Sequence, residues 1–444
     1  MIEGGKKIDI KMMKKLIIII LVILGLSPAL LAQNNRQYSM YGYGLLSDRA
    51  TSMQRQMGSI GYAMHSGRQI NVINPASYAS IDSLTFLFDM GADMTILWQQ
   101  QDDLKEHSFG GGLDYITMQF PIWKYLGASI GLVPYSYVGY AFGSEIDHGA
   151  MTNQGEGGIN QAYFGLAGTY GGFSLGVNVS YDFGNIINDV FSAPTNSGQT
   201  LFEHVMQIRD WGIVLGAQYT TKVSRTERLN LGLTFSPKKS IRGQTWATLQ
   251  ETTRDSKADT IAFMKMKGNY FTPMSIGAGI GWVHEHASRW MVEADFTYQQ
   301  WSKAKYSPLY ATNSDKAQQT ADKMGYSSSD NMVFQGMDFN DRTRFAVGGE
   351  FVPRLRGNYF QRMAYRLGAY YSNDYLNIQG NKLKEYGVTC GFGFHTPEGK
   401  TMINLGFEWK HRKATPHALI TENFFNITLG INFDELWFWQ RKIR

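Results

Sequence analysis

The chain has 444 residues, of which 43% are hydrophobic, 14% aromatic and only 18% charged, with 48 glycines and a formal charge of +5. It is too apolar for a disordered chain, yet it lacks the repeated long apolar runs of a helical membrane protein. The single cysteine, Cys390, excludes an internal disulfide, and the modest charge argues for neither a nucleic-acid partner nor an acidic one.

Residues 1–32 read as a secretory signal: Lys14 and Lys15 precede an apolar core from Leu16 to Leu26, and Pro28, Ala29 and the Leu30-Leu31-Ala32 step lead to cleavage after Ala32. A retained anchor is the competing reading, although the run is shorter than the roughly 20 residues a spanning helix needs. The long n-region is consistent with translation starting at Met12 or Met13. Removing the leader takes away Lys6, Lys7, Lys11, Lys14 and Lys15 with Glu3 and Asp9, so the charge falls from +5 to about +2.

Residues 33–82 alternate poorly and are rich in Gly, Ser, Asn and Tyr. A short helix is expected within Ser47 to Met57, and Asn74-Pro75-Ala76-Ser77 reads as a turn with φ fixed by Pro75. The segment carries Tyr38, Tyr41, Tyr43, Met53, Met57, Ile60, Ile70, Val72 and Ile73, enough apolar surface to pack as a hatch inside a barrel. A loose periplasmic tail is the alternative.

From residue 83 to 434 the sequence is all-β, about fourteen strand-length tracts separated by turns. The last tract shows the pattern best, with Phe425, Ile427, Leu429, Ile431 and Phe433 on one face and Asn426, Thr428, Gly430, Asn432 and Asp434 on the other. Val177, Val179, Leu229, Leu231, Leu233, Ile403, Leu405 and Phe407 repeat it. Oil outside and water inside describes a transmembrane antiparallel β-barrel, closed because lipid cannot satisfy an open sheet edge. Two tracts, 227 to 250 and 260 to 286, read as single long strands. Short turns at Phe120 to Lys124, Tyr170 to Phe173, Glu285 to Arg289 and Thr396 to Lys400 alternate with longer expected loops at 143 to 157, 187 to 206 and 304 to 340. That rhythm fits periplasmic turns and exterior loops. Trp290, Trp301, Trp409, Trp437 and Trp439 are expected in an aromatic girdle, Cys390 on the lipid face, and Gly277, Gly279 and Gly281 on the lumen face. Residues 435–444 form a basic, aromatic tail, read as interfacial or as a docking signal for a partner.

Several elements occur in the order found in the FadL/TodX family of outer-membrane transporters for hydrophobic compounds, which this chain resembles over most of its mature length. They are Asn74-Pro75-Ala76; Pro134 in Gly131-Leu132-Val133-Pro134; Thr272-Pro273 and Gly277, with Thr272 where the family has Leu; Asp295, Tyr298, Trp301 and Ser302; and Arg366-Leu367-Gly368. The resemblance implies a Gram-negative outer-membrane location, an N-terminal lumenal hatch and passive uptake of hydrophobic molecules such as long-chain fatty acids or aromatic compounds. It further implies capture on the outer side, transfer to an apolar pocket above the hatch, and lateral exit through the wall.

Asn74, Pro75, Ala76 and Ser77, with Pro134, are the candidate ligand-binding and gating residues. A mid-strand proline removes a ladder hydrogen bond and favours a kink. No catalytic or metal-ligating constellation emerges: His284-Glu285-His286 lacks a third ligand nearby, and no Gly-x-Ser-x-Gly elbow is present. The expected protein is a monomer without cofactor or enzyme activity, whose partners are a hydrophobic small molecule or fatty acid and outer-membrane lipid. The rival reading is a barrel of the same fold that escorts or anchors a secreted-protein partner, as the FadL-like component of type IX secretion does.

Overall fold

The computed structural model describes residues 35–146, 149–195, 198–252, 259–266, 270–304, 339–396 and 401–436. The expected signal peptide, most of the expected loop from 304 to 340, and the expected Trp437-Trp439 tail therefore lie outside the described residues.

A two-residue strand, β1 (Leu45–Leu46), lies in the N-terminal segment. The wall begins with β2 (Thr85–Gln101), β3 (Leu104–Trp123), β4 (Leu126–Ile146), β5 (Gly149–Tyr170), β6 (Phe173–Pro194), β7 (Gln199–Lys222) and β8 (Glu227–Ser236). Four short strands follow: β9 (Lys239–Ile241), β10 (Gly243–Thr252), β11 (Asp259–Met266) and β12 (Tyr270–Thr272). The wall resumes with β13 (Ser275–Glu285), β14 (Arg289–Gln299), β15 (Arg342–Val352), β16 (Ala364–Ile378), β17 (Asn381–His395), β18 (Thr401–Thr415) and β19 (Thr421–Leu436). Neighbours pair antiparallel, β13 joins β8, and β19 joins β2, which closes a barrel of 14 strands. No described helix is long and apolar enough to cross a membrane.

Burial is inverted relative to a water-soluble protein. Leu233 on β8 is 50% exposed and Val388 on β17 is 52% exposed, whereas Asn230 is 3% exposed and Thr389 is 3% exposed. Cys390 is exposed and free, on the outer face with Val388. Polar side chains inside and aliphatic ones outside are what a hydrocarbon surround selects.

Two expectations change in detail. The tracts 227–250 and 260–286 each break, so that β8 and β13 stay in the wall while β10 runs up the free upper edge of β7, from Gly243 opposite Ile208 to Thr252 opposite Gln199, and carries β11. The expected loops at 143–157 and 187–206 are largely strand, because β4 to β7 continue past the membrane as a tall wall. Alternation reports lipid on one face; above the hydrocarbon both faces of the sheet are wet, so the pattern fades while backbone pairing continues.

Residues 35–82 lie against the inward side chains of the barrel. The short helix α1 (Ser52–Arg55) opens with a capping box in which Thr51 and Gln54 satisfy each other's backbone N–H groups. It sits at the closing seam. Gly91 on β2 and Gly430 on β19 are directly opposite, and a Cβ on either would fall within 2.7 Å of Ser52. A second short helix, α2 (Tyr359–Arg362), lies in the β15–β16 connection. Trp301 departs from the girdle expectation. It is fully buried against Tyr43 and Tyr375, with ring centroids at 5.7 and 4.4 Å, because the wall strand ends at Gln299 and the chain turns inward. Trp409 is exposed among the outward side chains, as expected.

Candidate functional site

The candidate residues occupy two places. Asn74 caps the 3-10 helix Pro75–Ser80: its Oδ1 accepts from the Ala76 N–H at 3.0 Å, and its Nδ2 donates to the Tyr62 carbonyl at 2.7 Å and the Ala217 carbonyl on β7 at 3.3 Å. Ser77 Oγ donates to the Asn74 carbonyl at 2.7 Å. Gly216 on β7 admits this turn, since a Cβ there would meet Asn74 Oδ1 at 2.2 Å. The turn is therefore held by wall backbone and fully buried.

Pro134 sits in β4 beside a register shift between Pro134 and Ser136, which leaves Tyr135 unpaired with β5. On its other side, β4 pairs with β3 only from Leu126 opposite Trp123 up to Leu132 opposite Ile116. Above that point the two strands separate. The edge of β4 is taken instead by the N-terminal segment: β1 pairs with Tyr137 and Ser136, the Ser47 N–H donates to the Tyr135 carbonyl at 2.9 Å, and the Arg36 N–H donates to the Gly139 carbonyl at 2.7 Å. Ser39 Oγ accepts from the Gly139 N–H and Asn35 Oδ1 from the Ala141 N–H. The facing edge of β3, from Leu104 to Tyr115, has no backbone partner on that side among the described residues.

Behind this gap lies a cavity of about 580 Å³, lined by Gly111, Gly112 and Leu113 of β3, Tyr137 to Gly139 of β4, Leu45 and Leu46, and many charged groups. Arg55 pairs with Asp114 at 2.7 Å, and Arg412 pairs with Glu385 at 2.6 Å and Glu422 at 3.1 Å. Arg36 and Lys410 have no carboxylate within ion-pair distance among the described residues; each lies over the Phe424 ring, at 5.8 and 4.6 Å. The expected apolar pocket is not what this cavity provides. The apolar volume of the lumen is filled by Trp301, Tyr43, Phe339 and Tyr375 packed on one another.

The remaining family elements point at the N-terminal segment. Asp295 Oδ2 accepts from the Gly61 and Tyr62 N–H groups at 2.7 and 3.2 Å, beside Glu293, which accepts from the Ala63 N–H at 2.7 Å. Gly277 leaves room for the Tyr62 ring and Gly368 for Met57. Arg366 donates to Glu350 at 2.8 Å, Gln56 at 2.8 Å and Asn404 at 2.7 Å. Sequence reading placed these residues in motifs without seeing what they hold.

Asp48 ties the segment to β15, 3.2 Å from Arg344 and 3.5 Å from Arg342. Burial pulls its carboxyl upward, but the two guanidinium groups outweigh that and hold it down to about 2. A depressed carboxylate contributes stability that is fully present above its ordinary value of 3.8 and is lost as pH falls toward about 2. Proteolysis of the segment after Arg49 should therefore stay slow at pH 5 and accelerate only in that acid window. Asp48→Asn should raise the rate at neutral pH and flatten the acid dependence.

A family model described as BamG matches residues 12–444, nearly the whole chain. The chain belongs to the BamG family. No curated protein matches it. Solved structures similar to this BamG-family chain include the Pseudomonas putida toluene transporter TodX, with a TM-score of 0.60 at 14% identity over 89% of this chain and 100% of that one. A Pseudomonas aeruginosa FadL homologue gives 0.59 at 12% identity, over 88% and 99%. The Ralstonia pickettii toluene transporter TbuX gives 0.52 at 16% identity, over 87% and 98%. At such identities the likeness is one of fold. It bears out the β-barrel fold that the resemblance implied for this BamG-family chain.

Proposed function

We propose that this barrel resides in the Gram-negative outer membrane and passes hydrophobic small molecules inward without an energy source, with residues 35–82 acting as the hatch. The observation that carries the reading is the separation of β3 from β4 above Ile116 and Leu132, backed by a cavity that reaches the gap. A cargo leaving through the gap enters the bilayer and never crosses the full lumen, which the hatch obstructs. TodX and TbuX, titled toluene transporters, share the fold. The charged lining favours an amphiphile, such as a long-chain fatty acid, over a bare hydrocarbon, because Arg36 and Lys410 offer cationic groups to a polar head.

In this reading Pro134 keeps the gap open: it brings no N–H to the ladder, and its strand is kinked at Tyr135. Pro134→Ala, and separately deletion of residues 70–80, should lower uptake of a labelled long-chain fatty acid in cells several-fold at equal barrel abundance. Unchanged uptake in both removes lateral exit.

A second reading, a binding barrel that escorts or anchors a secreted protein, is favoured by the same charged cavity and by the aromatic filling of the apolar lumen. Cross-linking followed by purification separates the two: co-purifying lipid supports transport, and a stoichiometric protein partner supports escort.

A further inference from the structure

Where β3 parts from β4, just above Ile116, the strand carries a bulge. Tyr115 lies opposite Gly91 of β2 and Leu113 opposite Ala92, which leaves Asp114 without an opposite residue. An inserted residue re-aims its neighbours, and here Asp114 and Tyr115 both turn inward while Leu113 faces out.

Both inward side chains go to the hatch helix. Tyr115 Oη accepts from the Ser52 N–H at 2.7 Å, at the first residue of α1. Asp114 takes the last residue, Arg55, whose Nη2 lies 2.7 Å from its Oδ2 and 2.9 Å from its Oδ1. The same Oδ1 accepts from the Tyr137 hydroxyl of β4 at 2.9 Å, and the Tyr137 backbone is paired with Leu45 of β1. One carboxylate therefore joins β3, β4 and the hatch at a level where β3 and β4 share no backbone ladder.

The two donors depend on each other. The Asp114 side chain is 3% exposed, so its charge stays out of water only while Arg55 neutralises it. Arg55 lines the cavity, and a shift of α1 brings cavity water to the carboxylate in its place. A hydrated Asp114 no longer needs the Tyr137 hydroxyl.

We infer that Asp114 is a latch that couples the hatch to the gap: while it holds Arg55 and Tyr137 the banks stay close, and displacement of α1 frees β4 to move away from β3. The inference rests on the lateral-exit reading only in naming the gap as the path that the latch controls. Asp114, Arg55 and Tyr137 are positioning residues.

The test reads each side of the latch from the other, in the full-length barrel in lipid vesicles with Cys390→Ala. Nitroxide labels at Phe109→Cys on β3 and Ala141→Cys on β4, both exposed, report the width of the gap by pulsed electron resonance. Trypsin cleavage after Arg49 reports the hold on the hatch. Arg55→Met, which alters only the hatch, should add a longer label-to-label distance. Tyr137→Phe, which removes one hydroxyl from the wall, should speed cleavage about fivefold. Asp114→Ala should do both, and adding Arg55→Met to it should widen the gap no further. Tyr163→Phe, which removes a buried hydroxyl bonded to Ser129 away from the gap, should change neither readout. An unchanged distance in Arg55→Met, unchanged cleavage in Tyr137→Phe, additive widening in the double variant, or equal effects of Tyr163→Phe each overturns the latch. Neither readout needs cargo, so failure here leaves lateral exit to the uptake test, and unchanged uptake there removes the path while the coupling stands.

Discussion

Removing residues 35–47 should open a conducting path through the barrel. Those residues supply β1 and the Arg36, Ser39 and Ser47 contacts to the vacated edge of β4. They also supply Tyr38, whose hydroxyl donates to the Ile420 carbonyl, and Tyr43, which packs on Trp301 and exchanges hydrogen bonds with the Phe271 backbone. Without them the charged cavity joins the space the aromatic cluster occupied, and water gains a route both along the lumen and out through the wall. In planar bilayers the truncated barrel should show steps of ion conductance where the intact protein is silent, and small polar dyes should enter cells at least about tenfold faster, as expected for a water-filled barrel. Slow gel migration after heating, and fast migration before it, would confirm that the truncated barrel still closes. If it closes and conducts no better than the intact chain, residues 48–82 alone seal the lumen.

The second large effect should come from Arg366. Its guanidinium is buried and bonds Glu350, Gln56 and Asn404 together, with Arg289 3.6 Å from the same Glu350. Arg366→Met removes the charge while keeping much of the stem, and it leaves Glu350 with the more distant Arg289 and a side-chain hydrogen bond from Gln69. Breaking one partner of a buried pair costs about 3–5 kcal/mol. The loss should appear as a lowered unfolding midpoint in urea with lipid vesicles present, and as faster proteolysis near Gln56. The double variant Arg366→Met with Glu350→Gln should recover part of the loss, since the stranded carboxylate is then neutral. If the single variant unfolds at the wild-type midpoint, the network is solvated and the assignment of Arg366 as an anchor fails.

The barrel was legible in the sequence because lipid imposes a strict rule on every second residue. Phe425 to Phe433 cannot be read another way, and the structure pairs them along β18 and β2 as that reading requires. The tall wall was not legible, because Gly149 to Gly157, Ile187 to Ser192 and Thr200 to Met206 leave the hydrocarbon and carry no alternation, even though their backbones remain paired. Trp301 was misplaced for a related reason: a tryptophan near a strand end suits a girdle, and only the inward turn after Gln299 sends it into the core.

The candidate site was half legible. Asn74 and Pro75 announced a fixed turn, but the Asn74 amide donates to carbonyls on β7 and β8, and no sequence pattern reports which backbone a side chain will find. Likewise Arg366, Asp295 and Gly368 stood out as motif members, while their common task of holding residues 56–62 depends on partners hundreds of positions away. The charged cavity was unreadable in principle, since Arg36, Asp93, Glu385 and Lys410 come together only when the sheet curls.

The glycine pair at the seam couples the join of the ring to what lies inside it. Gly91 and Gly430 sit opposite one another on the first and last wall strands and leave room for Ser52 between them, so a side chain at either position would set the closing strands against their own contents. A methyl group added at either glycine should therefore loosen the inner segment and the seam together.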